Sequence, residues 1–139
     1  MGDPAILHPM FALAGLTGAV LLLILAVRVR AVRRRQIGIA DFSHGESPAV
    51  PDAVRLPNRN YMSLLELPVL FYVVCLIFYV AVPPAPEAVW LAWAYVVLRA
   101  LHSAVHLTYN HVLHRLLAFA ASNGVLVAMW ILAAMRLAS

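Results

Sequence analysis

Apolar residues run almost unbroken from Pro9 to Val27, from Met62 to Val82, from Ala88 to Leu98 and from Leu116 to Met135. A helix needs about 20 such residues to cross the hydrocarbon core of a bilayer. The third run turns amphipathic past Leu98, where Arg99, His102, His106 and Tyr109 recur at helical spacing. The pattern predicts spans over 7–30, 58–82, 87–109 and 113–136 within a single domain, 1–139. The expected fold class is all-α: an integral membrane four-helix bundle with up-down topology. Residues 31–57 form the one long polar segment, punctuated by Gly38, Gly45, Pro48, Pro51 and Pro57 and carrying Asp41, His44, Glu46 and Asp52. It is too short and too polar for a core of its own, and reads as a loop or an interfacial segment. Pro83, Pro84 and Pro86 end the second helix, because proline removes a backbone donor and clashes with the preceding turn.

Composition reinforces the membrane reading. Apolar residues make up 64% of the 139 positions and charged residues only 12%. Soluble domains are about half apolar and about a quarter charged. So small a globule cannot hide that excess, and lipid must cover it. A soluble enzyme, a disordered tail and a disulfide-stapled module are excluded. Cys75 is the only cysteine and lies in an apolar run.

Charge sets orientation rather than a nucleic-acid partner. All ten basic residues are Arg, the formal charge is +4, and most of the excess adjoins apolar segments. Asp3 precedes the first run and Arg28, Arg30, Arg33, Arg34 and Arg35 follow it, the reverse of a cleavable signal peptide. In an up-down chain those arginines, Arg55, Arg59 and Arg115 share one side. The positive-inside rule makes that side cytoplasmic and leaves both termini outside the cytoplasm. The lack of Lys beside abundant Ala, Arg and Leu points to a GC-rich bacterial source, hence an inner membrane.

Ionisable residues inside a span are costly and call for a partner or a function. Arg55, Arg59, Ser63 and Glu66 share one face of helix two. Arg99, His102, His106 and Tyr109 form a stripe on helix three. His111, Arg115, Phe119 and Ser122 are aligned on helix four. All three stripes lie at the arginine-rich level, which describes a polar pocket opening toward the cytoplasm. A structural reading stands beside this one, in which Glu66 only pairs with Arg59 or Arg99 across helices. Pro68 is expected to kink helix two just past Glu66.

The ligand chemistry can be narrowed. A bis-histidine haem needs imidazoles facing each other across the bundle, but His102 and His106 lie on one helix. The same pair with Glu66 could reach zinc, but Arg99 on that stripe opposes a cation. Neither haem nor metal is therefore expected. An anionic ligand suits Arg59, Arg99 and Arg115, whose forked guanidinium groups match carboxylates.

Two stretches carry a family resemblance: Arg59-Asn60-Tyr61-Met62-Ser63-Leu64-Leu65-Glu66-Leu67-Pro68, and Arg99 to Asn110 with His102, His106 and Tyr109, followed by Arg115. With the four spans and the polar loop, nearly the whole chain resembles the MAPEG family, the membrane-associated proteins in eicosanoid and glutathione metabolism. Glu66 to Tyr72 is similar to its bacterial branch. The resemblance implies a homotrimer in the lipid bilayer, with glutathione sites between subunits near the cytoplasmic side. It implies a transferase or peroxidase that joins glutathione, as co-substrate, to a hydrophobic small molecule. By that likeness Arg59 and Glu66 hold glutathione, Glu66 through its amino group. Ser63, Arg99, His102, His106 and Tyr109 line the site, and Arg115 stabilises the thiolate. Ser63 stands where many catalytic members have Asn, and His106 where the eicosanoid enzymes have Tyr. The alternative is a non-enzymatic membrane protein that binds a lipid headgroup or another anion in the same pocket.

Overall fold

The computed structural model describes residues 3–43, 45, 47–83 and 85–139. His44, Glu46 and Pro84, read above as part of the loop and of the proline break, lie outside them. The described chain is helical: α1 (Leu7–Arg33), α2 (Asp52–Leu65), α3 (Pro68–Val80), α4 (Pro86–Leu107) and α5 (Val112–Ala138). Short 3-10 turns occupy Pro4–Ile6 and Ile39–Phe42, and there is no strand among the described residues. Four helical segments are long and apolar enough to cross a membrane: Pro4–Arg33, Asp52–Val80, Pro86–Leu107 and Val112–Ala138.

Local chemistry sets the helix ends. The Asp3 carboxylate accepts a hydrogen bond from the Ala5 N–H at 2.8 Å, with Pro4 in the first helical position, where its missing donor is no loss. At the other end of α1 the Arg35 N–H donates to the Val32 carbonyl and the Gln36 N–H to the Ala31 carbonyl. This is a Schellman stop. Arg35 adopts φ +54° there, a left-handed position that usually goes to glycine.

Helix boundaries depart from the expected ones in two places. α1 runs on to Arg33 and α2 begins at Asp52, so the polar connection is 34–51 rather than 31–57. Pro57, which reads as punctuation in the sequence, sits inside α2. It forfeits only the one hydrogen bond to the Ala53 carbonyl. Val54, Pro57 and Leu64 still present a buried stripe. Val50 and Val54 pack with Ala31 and Ile37 in a small cluster of their own, which ties the connection to the end of α1. The second departure is an interruption. α2 stops at Leu65, Glu66 takes φ −82° and ψ −102°, and α3 restarts with Pro68 in its first turn. The second span is thus two helices separated by a break.

The main core is built from one stripe of each helix. Leu13, Val20 and Ile24 of α1 meet Leu64 of α2, Phe71, Val74, Cys75 and Phe78 of α3, Ala88, Ala92 and Tyr95 of α4, and Leu126, Met129 and Ala133 of α5. Phe71 and Tyr95 stack with ring centroids 4.5 Å apart. Small alanines on α4 let backbones approach closely, the usual basis of helix association in lipid. α4 packs most extensively against α5, and α1 against α2. Glu87 at the start of α4 is ion-paired with Arg136 near the end of α5. The outward faces keep large apolar side chains exposed, among them Leu22, Leu25, Val97 and Leu117. In water such a surface would aggregate, whereas in lipid it is solvated.

Candidate functional site

A cavity of about 350 Å³ opens where α2, α4 and the start of α5 converge. It is lined by Arg59 and Ser63 from α2, His102 and His106 from α4, and Val112, Arg115, Leu116 and Phe119 from α5. Arg59, Ser63, His102, His106 and Arg115 are thus brought to one place from three helices. Helical repeat explains the grouping: i, i+4 pairs on α2 and α4 project from one face, and so do Val112, Arg115, Leu116 and Phe119 on α5.

Arg99 lies behind this cavity. It is fully buried, and its Nη2 donates to the Ser63 carbonyl at 2.7 Å and to Ser63 Oγ at 2.9 Å. The carbonyl is available for a structural reason. Ser63 belongs to the last turn of α2, whose carbonyls a terminating helix leaves without N–H partners of its own. The break before Pro68 therefore creates the acceptor that receives the buried guanidinium. Arg99 Cζ also lies 5.7 Å from the Phe119 ring centroid, within cation–π range.

Arg115 is held from two sides. Its Nη1 donates to Asn110 Oδ1 at 2.8 Å, and its carbonyl accepts from His102 Nδ1 at 3.1 Å. That second bond selects the His102 tautomer with the proton on Nδ1, leaving Nε2 as an acceptor when the ring is neutral. Asn110 adopts φ +46°, and its N–H closes the end of α4 on the Val105 carbonyl. Asn tolerates this left-handed position better than most residues.

Several buried polar atoms around the cavity have no hydrogen-bond partner among the described residues: Nε and Nη1 of Arg99, both ring nitrogens of His106, and Nδ2 of Asn60. Asn60 Oδ1 accepts from Ser103 Oγ at 3.1 Å. Unpaired buried groups cost free energy, and a cluster of them beside a cavity marks a place where further polar partners fit. Among the described residues no Asp or Glu lines the cavity, so none of them compensates the charge of Arg59 and Arg115 within it. Among the described residues no three His, Cys, Asp or Glu side chains are grouped so as to hold a metal ion.

Glu66 and Tyr109 stand apart from this group. Glu66 is exposed at the break between α2 and α3 and has no hydrogen bond or ion pair with a described residue. Tyr109 is 62% exposed, and its hydroxyl is hydrogen-bonded to His114 Nδ1 at 3.0 Å. The His111 ring lies tilted against His114 with centroids 4.4 Å apart. Asn110, Val112 and Leu116 were not singled out from the sequence as site residues. For Asn110 the available signal was an Asn just past a helix end, the position most tolerant of positive φ.

Four apolar helical segments of spanning length, with a basic and histidine-bearing cavity between three of them, define a multi-pass helical membrane protein. The MAPEG family model matches residues 10–135, nearly the whole chain, and the protein belongs to that family. Neither the curated proteins nor the solved structures offer a significant match.

Proposed function

We propose that this protein is a glutathione-dependent transferase or peroxidase that acts on hydrophobic electrophiles within the membrane. The family includes glutathione transferases and peroxidases. The observation that carries the reading is the uncompensated pair Arg59 and Arg115 in a cavity whose remaining wall includes Val112, Leu116 and Phe119. Glutathione brings two carboxylates, a thiol and an amino group. Arg59 takes a carboxylate and Arg115 faces the sulfur. A free thiol has a pKa of about 8.5, and only the thiolate attacks. An adjacent guanidinium favours the thiolate and so raises the reactive fraction at neutral pH. In conjugation the sulfur forms a bond to an electrophilic carbon as the leaving group departs with its electron pair. The thiol proton passes to solvent.

In this proposal three copies assemble, and each glutathione site lies between subunits on the cytoplasmic side of an inner membrane. Both termini then lie outside the cytoplasm. Such a site accounts for the exposure of Glu66 and Tyr109, which would complete a neighbour's pocket, Glu66 meeting the glutathione amino group. The second reading, a non-enzymatic protein that holds a lipid headgroup or other anion in this cavity, is favoured by the same two exposed residues if no neighbour is present.

Thermal unfolding of the detergent-purified protein with glutathione tests the proposal, with S-methylglutathione and an unrelated anionic tripeptide as controls. A ligand at 100 times its Kd adds about 2.7 kcal/mol of apparent stability. A shift with glutathione but not with the unrelated tripeptide, followed by turnover of a nitroaryl chloride or a lipid hydroperoxide, is the expected result. No shift at saturating millimolar glutathione sinks the reading.

A further inference from the structure

The end of α1 carries an arginine ridge that the cavity between α2, α4 and α5 does not use. Two recesses flank it. One, of about 480 Å³, is lined by Val29, Val32, Ile39 and Phe42 together with Arg28 and Arg33. The other, of about 360 Å³, is lined by Arg30, Arg33 and Arg34 with Ala26 and Val29. Val29 and Arg33 belong to both. At about 100° per residue the two sets fall on adjacent faces of α1, on either side of the Val29–Arg33 ridge. The corner therefore places an apolar compartment directly beside a basic one.

The turn that completes the apolar compartment is held in place. Asp41 accepts a hydrogen bond from the Gly38 N–H at 2.8 Å, which closes the turn Ile39–Phe42. The Phe42 ring lies under Arg28, whose Cζ is 4.8 Å from the ring centroid. Ile39 nevertheless remains 80% exposed at the mouth of the recess. Arg30, Arg33 and Arg34 are exposed and have no ion pair with a described residue. Among the described residues, no Asp or Glu lines either recess.

We propose that this corner binds an anionic phospholipid. Its phosphate lies against Arg30, Arg33 and Arg34, and one acyl chain lies along Val29, Val32, Ile39 and Phe42. The ridge ends a spanning helix, the level at which headgroups meet basic side chains. A free phosphate would leave the apolar compartment without an occupant, and an uncharged lipid would leave the arginines without one. Only an amphiphile with a negative head matches both.

Native mass spectrometry of the full chain, released from detergent with phosphatidylglycerol or with phosphatidylcholine, tests this. Inorganic phosphate serves as a competing arm. Phosphatidylglycerol is expected to stay bound in preference to phosphatidylcholine and to resist millimolar phosphate. The double variant Arg30→Gln/Arg33→Gln is expected to weaken phosphatidylglycerol binding about 25-fold, at roughly fivefold for each arginine lost near the surface. Ile39→Asn is expected to weaken it while leaving the arginines in place. Equal retention of the two lipids, indifference to the arginine substitutions, or displacement by phosphate alone overturns the proposal. If a variant does not fold, the wild-type preference and its loss at high salt decide the question.

Discussion

Arg115 owes its position to a residue outside its own helix. Asn110 holds one guanidinium nitrogen, and it can do so because its backbone takes a left-handed turn between α4 and α5. Side chain and backbone can be tested separately. Asn110→Gly keeps the turn and removes the hydrogen bond, whereas Asn110→Ala strains the turn as well. Under the proposed function, Asn110→Gly is expected to lower kcat about tenfold with little change in unfolding temperature, since a small misplacement of a catalytic group is costly. Asn110→Ala is expected to lower both. Arg115→Ala removes the cation beside the sulfur and is expected to cost about 100-fold in kcat while glutathione binding largely survives. Steady-state conjugation kinetics together with glutathione titration check both substitutions. Unaffected turnover in Arg115→Ala removes the thiolate role. Arg59, Ser63, His102, His106 and Arg115 were legible as one group because i, i+4 spacing survives any detail of packing. The Asn110 contact was not legible, because it depends on a turn conformation that leaves no periodic trace.

At the level of elements, one proline links secondary structure to the site. Pro68 opens α3, the chain breaks at Glu66, and the Ser63 carbonyl left by α2 receives Arg99. Pro68→Ala restores an N–H and lets the two helices join. The rebuilt ladder then competes with Arg99 for the Ser63 carbonyl. The expected outcome is slightly higher helicity by circular dichroism and about a tenfold loss of glutathione-dependent turnover, because the buried guanidinium loses a partner beside the cavity. Unchanged turnover would separate the break from the site. The spans were readable because lipid demands a long apolar run, a requirement far stricter than helix propensity. The start of α2 was not, because Pro57 looks like a stop and is tolerated only through the packing of Val54 and Leu64. A kink near Pro68 could be expected, but its depth could not. Whether a proline bends a helix or divides it depends on what donates to the freed carbonyls, and for Ser63 that donor lies 36 positions away in Arg99.

At the level of the whole molecule, polar chemistry is confined to one end of the helices and the other end is nearly bare. Among the described residues, Asp3 and the Glu87–Arg136 pair are exceptions there. The proposed three-copy assembly comes from the family likeness, and under it the exposed Glu66 and Tyr109 would face a neighbour. Light scattering of the detergent complex, corrected for bound detergent, is expected to give a protein mass of three chains. A monomer would leave Glu66 with no neighbour to serve and would favour simple anion binding.

The break in the second span also sets how unfolding spreads. A continuous helix transmits fraying along its hydrogen-bond ladder, whereas a seam stops it. α3 is anchored in the main core by Phe71, Val74 and Phe78, while α2 leans largely on the small cluster with α1. Amides of Arg55 to Ser63 are therefore expected to exchange with deuterium much sooner than those of Phe71 to Phe78. The polar half of the site can then open and reclose as a unit while the membrane anchor behind it stays shut.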